Sequence, residues 1–378
     1  MKQFQIIIPV FQTKSMFLLC IQSLFSTLQF PTELVLINDG SNFNCLTYIK
    51  EQLDIPNFVT FQYIEHKNGM GCPVSINQGL EYVREDTYVV FADSDILFTN
   101  GWQNTVMNTL EDVSIGAVSG LFLYPQTEGI QCCGITYQNC LARHLYLNNK
   151  PENLALEPIF DVQATIFAFL AMKSDIVKKT GKIDESYFNG YEDVDYQFRL
   201  RKMGYRIVTN TEMKFYHYEK CNGFHRDFSR KQNLGILWSK HAGYVKDDLY
   251  NYLEKQITAK TDVSQNYTLV NMCEARNDAL GAIEILKTRL SVDTVIDISG
   301  SCSIKQKIWL PEVLSSDSYA LPTPYILLCD NFIELTENAY WFNLRSNYSQ
   351  PDLIIDLYSN VIPFSYLAQS FWPGNKIR

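Results

Sequence analysis

Short apolar runs alternate with helically spaced stretches over the first ninety residues. Phe4 to Val10 is apolar and β-branched, the mark of a strand buried on both faces. From Lys14 to Leu28 the apolar positions Phe17, Leu18, Ile21, Leu24, Phe25 and Leu28 recur with helical spacing. Leu34 to Ile37 predicts a second buried strand, closed by the polar turn Asn38-Asp39-Gly40-Ser41. Cys45 to Leu53 predicts a helix, Val59 to Ile64 a strand, and Pro73 to Arg84 a helix with proline in its first turn. Thr87 to Ala92 is a fourth strand. Strands alternating with helices imply a mostly parallel sheet covered on both faces. Ligands of such sheets sit at the carboxyl ends of the strands. Asn38 to Ser41 and Asp93 to Asp95 should therefore share one rim.

The pattern changes after Ile115. Gly, Pro and Gln punctuate Ala117 to Tyr124, Ile130 to Tyr137 and Val162 to Met172, which predicts antiparallel additions. Tyr191 to Met203 predicts a helix, Tyr205 to Thr209 a strand, and Phe228 to Ile257 a largely helical stretch. Further on, Val292 to Ile298, Tyr325 to Leu328 and Leu353 to Leu357 are strand candidates, with a helix expected at Ala275 to Leu290. The expected organisation is a catalytic domain over 1–225, a helical extension or linker over 226–258, and a small α/β unit over 259–378.

With 378 residues, 46% of them hydrophobic and 19% charged, the chain can bury a sizeable core. A net charge of -9 excludes a global electrostatic grip on nucleic acid. No apolar stretch reaches the roughly 18 residues of a membrane helix, and the N-terminus lacks a signal-peptide pattern. A cytoplasmic protein is expected, with peripheral attachment at the inner face of a membrane left open. The ten cysteines form no CxxC pair, so buried or idle thiols are expected rather than a zinc site. Asn266-Tyr267-Thr268 and Asn347-Tyr348-Ser349 match the glycosylation pattern by accident in such a compartment.

Four constellations carry candidate chemistry. Asp93-Ser94-Asp95 sets two carboxylates one residue apart at a strand end, where both can reach one cation bridging a diphosphate. Gly190-Tyr191-Glu192-Asp193-Val194-Asp195 opens a helix with acids, either as dipole-favoured charge or as a general base for a sugar hydroxyl. His217, in Phe215-Tyr216-His217-Tyr218, is either a structural histidine or a third metal ligand, with His225 as the competing candidate. His66, His144 and His241 have no such context. Asn68-Gly69-Met70-Gly71 and Asn77-Gln78-Gly79 permit a turn and close backbone approach to a ligand.

In this order the motifs resemble those of the family 2 glycosyltransferases, over roughly residues 4–225. Ile6-Ile7-Ile8-Pro9-Val10-Phe11 is similar to the family's first strand. Glu33 to Ser41 is similar to its second-strand motif, with Asn38 where an aspartate is usual. Asn68, Gly71, Asn77 and Gly79 resemble the next motif, with Ser75-Ile76 replacing the usual Ala-Arg. Asp93-Ser94-Asp95 resembles the metal motif, and Gly190 to Arg201 followed by Met203 to Ile207 resembles the Glu-Asp helix. The resemblance implies a GT-A fold, a Mn2+ or Mg2+ ion, a nucleotide-sugar donor (a UDP-sugar by preference), and a glycan or lipid-linked glycan acceptor, usually with inversion. It implies Asp93, Asp95 and His217 as metal ligands, and Asp193 as base with Glu192 as acceptor-binding neighbour or alternative base. Asp39 is implied as the contact to the nucleotide base. Pro9, Phe11 and Ser41 would line that pocket, with Asn68, Gly71 and Asp93 also on the donor side. Trp102 would contact donor or acceptor, or lie in the core.

Two other functions are weighed against this one. A sugar-1-phosphate nucleotidyltransferase would carry a Gly-rich loop with Arg after the first strand, and Pro9 to Thr13 is not that. An inactive glycan- or nucleotide-binding scaffold would have no need of Asp93, Asp95, Asp193 and His217 together. In the C-terminal unit, Val295 to Gly300 and Pro351 to Asp356 resemble strands of methyltransferases that use S-adenosylmethionine. The glycine-rich loop is absent there, so a degenerate unit for acceptor binding or assembly is expected.

Overall fold

The computed structural model describes residues 3–252, apart from 13, 139–140, 219–224, 247 and 249–250, together with six strands between 266 and 362. In chain order the first part contains β1 (Gln3–Val10), α1 (Lys14–Thr27), β2 (Thr32–Asn38), α2 (Cys45–Gln52), β3 (Val59–Glu65), α3 (Cys72–Leu80) and β4 (Thr87–Ala92). Next come β5 (Ile96–Phe98), α4 (Trp102–Thr109), β6 (Ile115–Leu123), β7 (Ile130–Cys132), β8 (Ile135–Gln138), β9 (Leu141–His144), β10 (Ile159–Val162) and β11 (Phe169–Lys173). α5 (Ser174–Thr180), α6 (Glu192–Lys202), β12 (Arg206–His217) and α7 (His225–His241) complete it.

A ten-stranded sheet runs β10-β12-β6-β11-β4-β1-β2-β3, with β5 also on β12 and β7 also on β6. β4, β1, β2 and β3 are mutually parallel, as the alternation of strands and helices predicts. β11 enters antiparallel between β4 and β6. Residues 1–135 and 157–245 form one compact unit, which includes α7, and residues 136–156 and 246–378 form another.

The apolar pattern explains the first unit's packing. Phe17, Cys20, Ile21 and Leu24 of α1 are buried against the sheet. Below the rim, Phe98, Trp102, Phe169 and Phe215 make one aromatic cluster, with Phe169 and Phe215 stacked at 4.3 Å and Trp102 edge-on to Phe169 at 5.5 Å. Trp102 is 1% exposed and donates to Thr27 Oγ1 (3.3 Å), so it belongs to the core and to neither ligand.

Several boundaries differ from the periodicity. α3 stops at Leu80 and not Arg84, because the next N–H groups turn back to the carbonyls of Gln78, Gly79 and Leu80 and Arg84 N donates to buried Gln5. The run Ile130 to Tyr137 breaks into β7 and β8 at Gly134, whose φ is +121°. A Cβ there would meet Val162 Cγ1 at 2.4 Å. The run Val162 to Met172 also splits. The buried Gln197 amide takes both the N–H (3.0 Å) and the carbonyl (2.5 Å) of Thr165, so that residue is held by a side chain and not by a strand. β12 extends from Arg206 to His217, beyond the predicted Thr209, through a bulge after Thr209. α7 ends at His241, residues 251–252 are again helical, and residues 253–257 of the predicted stretch lie outside the described residues.

In the second unit, β13 (Asn266–Asn271), β14 (Ser291–Asp297), β15 (Lys307–Ile308), β16 (Tyr325–Asp330), β17 (Ile354–Asp356) and β18 (Asn360–Ile362) form a sheet in the order β15-β14-β13-β16-β17-β18. All neighbours are parallel except β17 and β18. The helix expected at Ala275 to Leu290 lies outside the described residues.

Candidate metal and donor site

The sheet register sets the rim. Val10 pairs with Asn38, so β1 and β2 end side by side, and β4 delivers Asp93 directly after Ala92. The Asp93 turn is held from below. Its N–H donates to Ala168 O (3.1 Å), and Cys20 Sγ donates to its carbonyl (3.7 Å). Burial, then the charge of Asp95, pushes the Cys20 thiol up, which keeps it a protonated donor and not a nucleophile.

β5 starts immediately after Asp95 and pairs antiparallel with the end of β12, placing His217 opposite Ile96. Tyr218 N–H then donates to Asp95 O (3.2 Å), which locks the aspartate turn to the histidine strand. His217 Nε2 consequently lies 3.3 Å from Asp95 Oδ1 and 3.8 Å from Asp93 Oδ2. One atom from each of the three residues falls within 4.8 Å of the others. Two carboxylate oxygens and one imidazole nitrogen at these separations suit Mn2+ or Mg2+ with several coordination positions left for a ligand. The Asp93 side chain is 32% exposed against 13% for Asp95 and 6% for His217, so those positions open on the Asp93 side. Among the described residues this is the group able to hold a metal. His225, the competing candidate, begins α7, and its side chain lies outside the described part.

The second cluster surrounds Asp39. Its Oδ1 accepts from Met70 N (2.7 Å) and from His66 Nδ1 (2.6 Å), and its Oδ2 accepts from Gly71 N (3.0 Å). Asp39 thus holds the Asn68 to Gly71 turn against the end of β2. Gly40 permits this contact: its φ is +78°, and a Cβ there would meet Gly69 N at 2.5 Å. Ser41 Oγ donates to Val10 O (3.0 Å) and accepts from Gln12 N (3.0 Å), tying β1 to β2. Pro9 is part-buried within β1. Phe11 is 39% exposed, and its ring lies against Gly69, where a Cβ would come within 3.2 Å. Asn68 is exposed on the same turn. The structure therefore brings Phe11, Asp39, Ser41, Asn68 and Gly71 together. His66 was the missed member. It ends the link after β3 and meets the amide of Gln78 (2.6 Å) with its other nitrogen. Its place just past the third parallel strand was the available signal.

The third cluster is the turn into α6. Asn189, Gly190 and Tyr191 all have positive φ. Glu192 is buried and its carboxylate accepts from Gly190 N, whereas Asp193 is less buried and accepts from Val194 N (2.8 Å). Asn189 Oδ1 accepts from Cys72 N (3.2 Å), linking this turn to the Asp39 cluster. Asn233 of α7 clamps it from behind, donating to Phe188 O and Gly190 O (both 2.9 Å). Asp195 points inward to His241 Nε2 (2.9 Å), Arg199 Nε (3.1 Å) and Tyr187 Oη (3.2 Å). Burial raises its pKa, but the His241 and Arg199 partners outweigh that and hold it below the ordinary carboxylate value. His241, given no context by the sequence, is therefore the anchor between α7 and α6. Gln131 contacts His217, and the next residue, Cys132, has a thiol pushed up to about 12 by burial, with the Asp193 charge adding to it.

A mostly parallel sheet carrying an Asp-x-Asp turn and a histidine on its rim defines the GT-A class of glycosyltransferase folds. GalNAc-T7, solved with UDP, GalNAc and Mn2+, is similar to the chain with a TM-score of 0.53 and 14% identity, over 70% of this chain and 52% of that one. Residues 5–131 match the family model described as glycosyl transferase family 2, which is the family that the motifs resemble. Two further solved structures are similar. Mannosyltransferase PcManGT from Pyrobaculum calidifontis, in complex with GDP-Man and Mn2+, matches with TM-score 0.47, 15% identity and 65% coverage of each chain. Residues 1–349 of S. aureus TarS match with TM-score 0.46 and 12% identity, over 69% of this chain and 73% of that one. The chain spans 65% of PcManGT and 52% of GalNAc-T7. No curated protein sequence matches it. No helix of the described residues is long and apolar enough to cross a membrane.

Proposed function

We propose that this protein transfers a sugar from a nucleotide-sugar donor, a UDP-sugar by preference, to a glycan or lipid-linked glycan acceptor, with inversion at the anomeric carbon. The observation that carries the proposal is the meeting of Asp93, Asp95 and His217 at the carboxyl rim of a GT-A sheet. A divalent cation bound there would neutralise the charge that builds on the departing diphosphate.

The chain's own residues supply the rest. Three donors already fill part of Asp39's acceptor capacity, two on Oδ1 and one on Oδ2. An ionised carboxylate offers about four lone-pair sites, so Oδ2 retains one direction for a ring N–H of the base. Phe11 offers an exposed aromatic face beside it. Asp193 removes the proton of the attacking acceptor hydroxyl from the first turn of α6, where the helix dipole favours negative charge. Glu192 shapes the turn through Gly190 and does not act as the base. The fold relative GalNAc-T7 holds UDP and Mn2+, which agrees with a UDP donor.

A thermal-shift screen tests this. UDP-, GDP- and dTDP-sugars are each added with Mn2+, Mg2+ or a chelator. Ligand at about 100 times its Kd stabilises by roughly 2.7 kcal/mol, a shift well within range of detection. The expected result is a metal-dependent shift with a UDP-sugar. Equal shifts with chelator present would contradict the metal site, and a shift confined to another nucleotide would contradict the donor.

A further inference from the structure

The proposed metal site, on which this inference rests, has three ligands but depends on a fourth side chain. Gln131 of β7 is buried, and its amide makes two contacts with one residue. Its Oε1 lies 2.7 Å from His217 Nδ1, and its Nε2 donates to the carbonyl of His217 (3.3 Å). The second contact fixes the first. An amide nitrogen facing a carbonyl forces the amide oxygen to face the ring, and an amide oxygen can only accept. Nδ1 of His217 must therefore carry a hydrogen. In a neutral ring, that leaves the lone pair on Nε2, the nitrogen 3.3 Å from Asp95 and 3.8 Å from Asp93.

We propose that Gln131 is the positioning residue that sets the tautomer and ring orientation of His217 for binding a divalent cation. The partner is reached from across the sheet, because β7 pairs with β6 and β6 lies beside β12. Phe122 on β6 packs edge-on to the imidazole at 6.1 Å and restrains the ring from its face. Metal-binding histidines commonly donate their second N–H to a carboxylate, carbonyl or water. An amide in that place orients the ring without adding a third negative charge beside an incoming diphosphate.

Two measurements test this. Side-chain 15N correlation spectra of the metal-free wild-type protein at mildly alkaline pH report which ring nitrogens carry hydrogen. The protein has five histidines, and the His217→Ala variant assigns the signal. The expected result is a protonated Nδ1, and an unprotonated Nδ1 would overturn the proposal whether or not metal binds. Mn2+ titrations are then made in the presence of UDP. Gln131→Met, which removes both contacts, should weaken Mn2+ binding by about 10–100-fold. Gln131→Glu, which restores an acceptor for Nδ1 but not the bond to the carbonyl, should recover part of that loss. Wild-type Mn2+ affinity in Gln131→Met, or equal losses in both variants, would overturn the assignment. Should the wild-type protein take up no Mn2+, the metal-dependent function fails while the Nδ1 spectrum still decides the role of Gln131.

Discussion

Asparagine at position 193 is expected to lower the rate of sugar transfer by about 10²–10⁴-fold, the range that a positioned general base contributes. UDP and Mn2+ affinities should remain near wild type, because Asp193 lies outside the Asp39 and Asp93–Asp95–His217 clusters. The choice of Asp193 over Glu192 follows from their environments. Glu192 is buried and occupied by Gly190 N–H, so its replacement by glutamine keeps an acceptor oxygen and should act mainly through the turn. Asp193 is the less buried of the two. Single-turnover transfer assays run beside UDP calorimetry separate these effects. Wild-type transfer in Asp193→Asn would move the base elsewhere. A parallel loss of UDP binding would make the residue structural.

Alanine at position 95 is expected to have the second large effect. It removes one of three metal ligands and leaves His217 Nε2 facing only Asp93 at 3.8 Å. Changes behind a ligand commonly cost 10–100-fold in metal affinity, so losing a ligand should cost at least about 100-fold. Metal-dependent UDP binding should fall with it, while metal-independent binding at Asp39 is unchanged. The fold should survive, because β5 is held to β12 by backbone pairing and the aspartate faces the rim. Calorimetry of UDP with Mn2+ and with chelator reads both quantities in one protein. Unchanged Mn2+ dependence in the variant would remove Asp95 from the site.

The parts of this site legible in the sequence share one property: each sits at the end of a strongly patterned strand or helix. Asp39 and Asp93 follow apolar runs whose direction is fixed by parallel alternation, so their rim could be named before the sheet was seen. Glu192 and Asp193 open a helix whose apolar spacing marks its start. The parts that were not legible arise from contacts across the sheet. Gln131 and His217 are 86 residues apart, Asp195 and His241 46, and Asp39 and His66 27. No periodicity records which side chains meet over such separations. The splits at Gly134 and Thr165 have the same origin, since Val162 and Gln197 decide them from elsewhere in the fold. Trp102 shows the opposite limit. Its composition suits a sugar platform as well as a core, and only the ring contacts with Phe98 and Phe169 place it inside.

The central claim is that a divalent cation and a nucleoside diphosphate occupy the Asp93 rim together. Crystals grown with Mn2+ and UDP, and measured at a wavelength where manganese scatters anomalously, test it most directly. The account predicts one anomalous peak bound by Asp93, Asp95 and His217 Nε2 and by the diphosphate, with the uracil beside Asp39 and Phe11. UDP bound with no anomalous peak at those three residues, or manganese bound elsewhere on the chain, would contradict it.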